Sequence, residues 1–201
     1  MREFPFIHPD KIERRRGNQL PHWTAENAIY HVVYRLADSL PRPYLEALRQ
    51  ERESLLRQSE RNPGDHIRLA QLMSGRTEKY LDLGGGSCLL RSAEAASLVK
   101  QSISFFHGER YELHAWCVMP NHVHLVIQPL PGFALSTVMH SLKSFTAHEL
   151  NRLLDRRGQL WHPEYYDHMI RHEAAYSRVV NYVLANPTKA NLRNWEFVGQ
   201  K

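Results

Sequence analysis

Apolar residues recur every second position in some stretches of the chain and every three or four in others. The first period marks half-buried strands and the second the buried face of a helix. "NAIYHVVYRL" (27–36), rich in Val, Ile and Tyr, predicts a strand. "RYELHAWCVM" and "HVHLVIQP" predict two more, joined by a tight connection at Pro120 and Asn121. A fourth is expected within "QLWHPEYYDHMI", with Pro163 near its start.

Helical periods lie between the strands. "PRPYLEALRQERESLLRQSE" reads as a mostly solvated helix, with Glu and Arg at close helical spacing. "NPG" (Asn62–Gly64) predicts a turn, and "DHIRLAQLMSGRTEKYLDL" a second helix. "GGGS" (Gly84–Ser87) predicts a flexible break; the Lys–Ser/Thr pair of a phosphate-cradling loop is absent. Ser92 can cap a helix with Ala95, Leu98, Val99, Ile103 and Phe106 on one face. Leu135, Val138, Met139, Leu142 and Phe145 line a longer helix, which Gly158 should end. The last helix, "EAAYSRVVNYVLAN", should stop at Asn186, before Pro187. Together these elements predict an α+β fold: a ferredoxin-like antiparallel sheet with helices on one face and a helical insertion at about 40–80. A basic arm (1–24) precedes the domain (25–195), and a short tail (196–201) follows.

Composition adds little to this. Hydrophobic residues make up 42% and charged ones 23% of the 201 residues, as in ordinary globular proteins. The formal charge of +5 leans toward polyanionic partners. Cys88 and Cys117 are far apart and form no C-x-x-C, which fits a reducing compartment and argues against a thiolate zinc site. The first twenty residues contain no continuous apolar run of a signal peptide or membrane span, so a cytoplasmic protein is expected.

Two histidines one residue apart in an apolar strand change the picture. Alternation puts Val123, Leu125 and Ile127 on the face toward the helices, and His122, His124, Val126 and Gln128 on the opposite, more open face. Residues i and i+2 lie roughly 6–7 Å apart along a strand, close enough for two imidazoles to converge on one ion. On the last helix, Tyr176, Val179, Val180, Val183 and Leu184 form the apolar stripe. Tyr182 falls roughly 130° from its centre, with Asn186 one turn on. By position alone Tyr182 could equally be an ordinary half-exposed tyrosine, and His122 and His124 solvent-facing or hydrogen-bonded side chains.

"HAWCVMPNHVHLVIQP", "LWHPEYYDHMIR" and "YVLANPTKANL", with "IYHVVYR" upstream, resemble the REP-associated tyrosine transposases, relatives of the single-strand transposases of the HUH nuclease group. The resemblance covers roughly residues 25–195, apart from the segment at about 40–80. It implies that His122 and His124 are metal ligands with Asn186 as the third, that the ion is Mg²⁺ or Mn²⁺, and that Tyr182 is the catalytic nucleophile. The implied activity cleaves and rejoins single-stranded DNA near palindromic hairpins through a covalent 5′-phosphotyrosine. A phenol suits this once ionised, because its phenolate is a capable nucleophile. Tyr165 and Tyr166 fit sheet packing and Tyr176 the apolar stripe, so Tyr182 has the best context. Two departures stand out: "NPTKANL" has Asn191 where the family often has Gly, and "RLADSL" follows the first strand where "RGN" is usual.

Candidate DNA contacts are His31, Arg35, Lys143, Arg152, Arg171 and Lys189, with Trp161 as a stacking surface for unpaired bases. The expected partner is single-stranded or hairpin DNA; homodimer and monomer are both open. Two other functions compete: a domesticated protein that grips DNA or RNA hairpins without cutting, and a metal-dependent phosphodiesterase that uses water.

Overall fold

A computed structural model describes residues 13–16, 21–59 and 76–201. The expected "NPG" turn, residues 65–75 of the second predicted helix and residues 1–12 and 17–20 of the arm lie outside the described residues. The strands are β1 (Glu13–Arg16), β2 (Pro21–Thr24), β3 (Ile29–Arg35), β4 (Tyr111–Val118), β5 (His122–Pro129), β6 (Tyr166–Ile170) and β7 (Val198–Gln200). The helices are α1 (Arg42–Ser59), α2 (described over 76–82), α3 (Ala93–Phe105), α4 (Leu135–Leu153) and α5 (Glu173–Lys189).

Five strands pair in the order β6-β3-β5-β4-β7, all antiparallel. The four strands β6-β3-β5-β4, with α3 and α4 as connections, give the expected ferredoxin-like α+β arrangement. β1 and β2 pair as a separate antiparallel ribbon within the expected arm. The expected C-terminal tail adds the edge strand β7.

Tyr30, Val32, Tyr34, Val123, Leu125 and Ile127 pack with Val99, Ile103, Val138, Met139 and Leu142 in the main core, beneath α3 and α4. Ser92 caps α3 by accepting a hydrogen bond from the Ala95 amide. The expectation that all helices share one face needs correction. α5 lies on the other face, where Val180 and Val183 pack on Ile29, Ala115, Cys117, Val126 and Ile170. The histidine-bearing face is therefore a second buried layer, because it too is largely apolar.

Strand β4 shows why simple alternation fails there. Tyr111 and Leu113 face the main core, yet so do Trp116 and Val118. A bulge between Leu113 and Ala115 shifts the register at His114 and flips the parity.

Several boundaries differ from expectation. α4 ends at Leu153, five residues before Gly158, and Asp155 already adopts a positive φ of 46°. Phe145 is exposed, and Thr146 and Leu150 take the buried positions on α4. The regular strand over the fourth predicted segment starts at Tyr166; Trp161 makes only an isolated bridge to Leu36. α5 continues through Pro187 to Lys189, because Pro187 is buried and packing there outweighs the lost amide hydrogen bond. Asn191 adopts a φ of 53°, so the position where Gly is usual keeps its left-handed turn.

The Gly-rich segment is a fitted turn, not a loose hinge. A Cβ on Gly86, which has φ +81°, would lie 2.5 Å from the Asp38 carbonyl oxygen, and one on Gly85 2.9 Å from that of Ser39. The Ser87 amide also donates to Asp38 Oδ2 at 2.9 Å. The insertion is thus pinned where it rejoins the domain.

Truncating a buried and an exposed side chain of α4 tests this packing. Met139→Ala should lower unfolding free energy by about 2–5 kcal/mol and Phe145→Ala by less than about 0.5 kcal/mol, as read from urea midpoints. Equal losses would contradict the assigned face.

Candidate functional site

Alternation and register bring the site together. Val33 lies opposite His124 and Arg35 opposite His122, with Cys117 opposite His124 on the other side. His31, two residues before Val33, becomes a diagonal neighbour of His124. His122 and His124 are both fully buried, because α5 and α2 cover the face that was expected to be more open.

Each imidazole has an assignable role. His122 Nδ1 lies 2.7 Å from Asn121 Oδ1. A carboxamide oxygen only accepts, so Nδ1–H donates and the neutral ring turns the Nε2 lone pair inward. That Nε2 lies 2.9 Å from His124 Nε2. On the far side of His124, Nδ1 lies 3.1 Å from His31 Nε2, with the two rings only 5° from coplanar. This is an in-plane hydrogen bond, and it fixes the orientation of His124. Burial lowers all three histidines: His31 and His122 are pushed down to about 3, and His124 is held well below the ordinary range. All three are neutral near pH 7, the form in which imidazole binds a metal.

Tyr182 and Asn186 approach from α5. The Tyr182 ring stands edge-on to His124 at 5.8 Å and to His31 at 5.9 Å between centroids. Its hydroxyl donates to Glu78 Oε2 at 3.0 Å. Lys189 Nζ sits 4.2 Å from the Tyr182 ring centroid. Burial, reinforced by the Glu78 carboxylate, raises the phenol above its ordinary range. Asn186 is fully buried; its Nδ2 donates to the Tyr182 carbonyl, and its Oδ1 has no hydrogen-bond partner.

Helix α2 closes the site, a contribution sequence reasoning missed. Asp82 Oδ1 is likewise buried and without a hydrogen-bond partner, 3.8 Å from His122 Nε2. Burial raises the Glu78 and Asp82 carboxyls. The only sequence signal for them was an i, i+4 carboxylate pair on a helix, which is common on solvated faces. Asn121 was read only as a turn residue and His31 only as a surface contact.

The donor set fits a divalent cation. Two neutral imidazole nitrogens converge at 2.9 Å, and two buried oxygens, Asn186 Oδ1 and Asp82 Oδ1, have no hydrogen-bond partner. A second grouping shares His124: the ligating atoms of His31, Glu78 and His124 all lie within 4.8 Å of one another. There, however, His31 and His124 Nδ1 are hydrogen-bonded to each other.

The expected DNA contacts are distributed differently. His31 and Arg35 are buried; the Arg35 guanidinium donates to the Leu36 carbonyl and to Ser39 Oγ, so neither offers a surface cation. Trp161 is also buried, donating from Nε1 to Thr146 Oγ1 at 3.0 Å and meeting Tyr34 edge-on, and is a core residue, not an open stacking surface. Lys143 Nζ is held by the carbonyls of His162 and Pro163. Arg152 is exposed and paired with Glu149, and Arg171 is exposed with its guanidinium 6.0 Å from the Trp23 ring centroid. Of the seven, buried His31 and exposed Lys189 adjoin Tyr182. Of the competing tyrosines, Tyr176 contacts His114 Nδ1 at 3.1 Å, which ties α5 to the β4 bulge.

Parts of the chain are similar to known proteins. Residues 93–186 match the family model described as "Transposase IS200 like". The REP-associated tyrosine transposase of Escherichia coli (strain K12) is 26% identical over 92 residues, 43% of this chain and 53% of that protein. The match thus spans about half the length of that relative. The solved structure titled "Structure of the REP associates tyrosine transposase bound to a REP hairpin" aligns with a TM-score of 0.55 at 18% identity, over 92% of this chain and 81% of that one. At that identity the likeness shows the shared fold. No helix among the described residues is long and apolar enough to cross a membrane.

The buried histidines make stability depend on pH. His31, His122, His124, His162 and His168 are all lowered, chiefly by burial, whereas Glu78 and Asp82 are raised and act with the opposite sign. Below about pH 6.5 the unfolded chain binds protons that native His31 and His122 refuse until about 3, so stability falls as pH drops through that window. Each such imidazole contributes a slope of up to about 1.4 kcal/mol per pH unit. The urea midpoint of the metal-free protein should therefore be lower at about pH 5 than at about pH 7. An unchanged or higher midpoint would contradict the buried neutral assignment.

Proposed function

We propose that this chain, which resembles the REP-associated tyrosine transposases, is a metal-dependent transposase that cleaves and rejoins single-stranded DNA beside palindromic hairpins. The observation that carries this reading is the Tyr182 phenol standing edge-on to the imidazole of His124, itself 2.9 Å from His122. A nucleophile precursor beside a convergent pair of neutral imidazoles is suited to phosphoryl transfer.

In this reading His122, His124 and Asn186 hold a Mg²⁺ or Mn²⁺ ion. When bound, the ion supplies Lewis-acid polarisation of the scissile phosphate. Asn121 holds the His122 imidazole in the tautomer that leaves its Nε2 lone pair free for the ion, and the hydrogen bond to His31 fixes the orientation of the His124 ring. Tyr182 attacks the phosphorus in line, forming a 5′-phosphotyrosine and releasing a 3′-hydroxyl. The ester keeps the free energy of the broken bond, which suits rejoining better than hydrolysis. The Lys189 ammonium over the Tyr182 ring favours negative charge on the phenol oxygen and on the approaching phosphate.

The DNA-bound structural relative supports a hairpin as the partner. Lys189 and Arg171 are candidate phosphate contacts: both are exposed and lie at the end of α5 and just before it. The closed histidine layer excludes bulk water from the imidazoles, which favours the phenol over water as the attacking group.

The test incubates end-labelled single-stranded hairpin DNA with protein and Mn²⁺ and resolves the products on a denaturing gel. Wild type should give a covalent protein–DNA adduct, Tyr182→Phe none, and His122→Ala a loss of about 100-fold or more. Cleavage that survives Tyr182→Phe would favour water as nucleophile. Tight binding without cleavage would mark a hairpin-binding protein.

A further inference from the structure

The segment between β3 and α3 is the part of the chain for which the resemblance assigned no role, yet its second helix reaches the centre of the site. α2 is fixed in place. Asn121 Nδ2 donates to the Leu81 carbonyl at 3.1 Å and to the Gly85 carbonyl at 3.0 Å. Arg76 pairs with Glu51 of α1, and Tyr80 stacks on Tyr44 with ring centroids 3.9 Å apart. The fitted turn at Gly85 and Gly86 follows directly. One turn apart on this anchored helix, Asp82 faces His122 and Glu78 accepts the hydrogen bond from the Tyr182 hydroxyl.

We infer that Glu78 is the catalytic base that takes the Tyr182 proton as the phenol oxygen attacks phosphorus, an inference that rests on the transposase reading above. The 3.0 Å Oη to Oε2 contact already has the geometry of the proton transfer. As the Oη–P bond forms from an oxygen lone pair, the Oη–H proton passes to Glu78 Oε2. The P–O3′ bond breaks with its electron pair left on O3′, which takes a proton from water. The resulting hydroxide removes the proton from Glu78 and restores the carboxylate. In rejoining, a 3′-hydroxyl attacks, its proton passes through water to the Glu78 carboxylate, and Glu78 gives that proton to the phenol oxygen as it leaves. A base that takes the proton in one direction and returns it in the other suits a reversible reaction. The insertion is thereby part of the catalytic unit.

Glu78→Gln keeps the shape and removes the base. With labelled hairpin DNA and Mn²⁺ under single-turnover conditions, its rate of adduct formation should fall about 100-fold or more. Mn²⁺ affinity by calorimetry and hairpin affinity by gel shift should stay within about twofold of wild type. Glu78→Asp, which keeps a carboxylate, should recover part of the rate. A fluorinated tyrosine at position 182, whose phenol is more acidic, should speed Glu78→Gln at least about tenfold and wild type far less. In the metal-free, DNA-free protein the ¹⁹F resonance of that residue should move on Glu78→Gln, reporting the contact without activity. Adduct formation at the wild-type rate in Glu78→Gln overturns the inference alone. A weakening of Mn²⁺ binding by about tenfold or more overturns it in favour of a metal ligand at Glu78. Failure of the fluorinated tyrosine to rescue also overturns it. No adduct from wild type overturns the transposase reading, and this inference with it.

Discussion

The carboxamide of Asn121 makes three hydrogen bonds that run in two directions, and the rest of the site depends on them. Its oxygen accepts from His122 Nδ1 at 2.7 Å, which fixes that ring's tautomer and turns Nε2 toward His124. Its nitrogen donates to the last turn of α2 and to the Gly-rich turn. One side chain, fully enclosed in the β4–β5 connection, thus joins the imidazole pair to the inserted helix. An aspartate here would keep the acceptor and lose both donors, cutting the ties to α2 and to the Gly-rich turn. An alanine would also free the His122 tautomer. Histidine geometry and insertion placement are therefore one constraint.

Burial sets the electrostatic character of what Asn121 assembles. The sheet face under α5 is largely apolar around its histidines, so desolvation lowers the imidazoles and raises the phenol and the two carboxyls. These groups are thereby pushed toward their uncharged forms. Water inside the layer would relax these shifts. α5 carries both Tyr182 and the Val180 and Val183 contacts that cover the sheet, so the helix that carries the proposed nucleophile also keeps the layer dry.

The sequence displayed more of the proposed machinery than of its enclosure. Alternation in β5 and the helical angle of Tyr182 are local properties, and they placed the imidazoles on one face and the phenol off the stripe without any knowledge of neighbours. The burial of that face was not legible, because it depends on α5 crossing the sheet on the side away from α3 and α4. Trp161, His31 and Arg35 carry the composition of nucleic-acid contacts, but their surroundings decide otherwise: Thr146 and Tyr34 around Trp161, His124 against His31, and Ser39 against Arg35. The parity flip at His114 hid for the same reason, since a bulge is fixed by pairing across strands. Glu78 and Asp82 come from a segment where an i, i+4 acidic pair looks like any solvated helix. Only the tertiary placement of α2 gives them a partner.

That placement bears on why a transposase-like fold would carry an insertion between its first strand and first core helix. In the four-stranded frame alone, the imidazole pair would face α5 on one side and solvent on the other. α2 supplies the missing wall, and does so with carboxylates instead of apolar side chains. Apolar residues would stabilise the layer more cheaply, since two half-buried carboxyls lose solvation that only the Tyr182 hydroxyl partly replaces. Carboxyls whose ionised forms burial disfavours gain most when a dication arrives beside them. A wall built from Glu78 and Asp82 therefore sacrifices some stability in the empty site and favours charge in the loaded one. That exchange fits the proposed phosphoryl chemistry better than it fits a wall that merely seals the sheet.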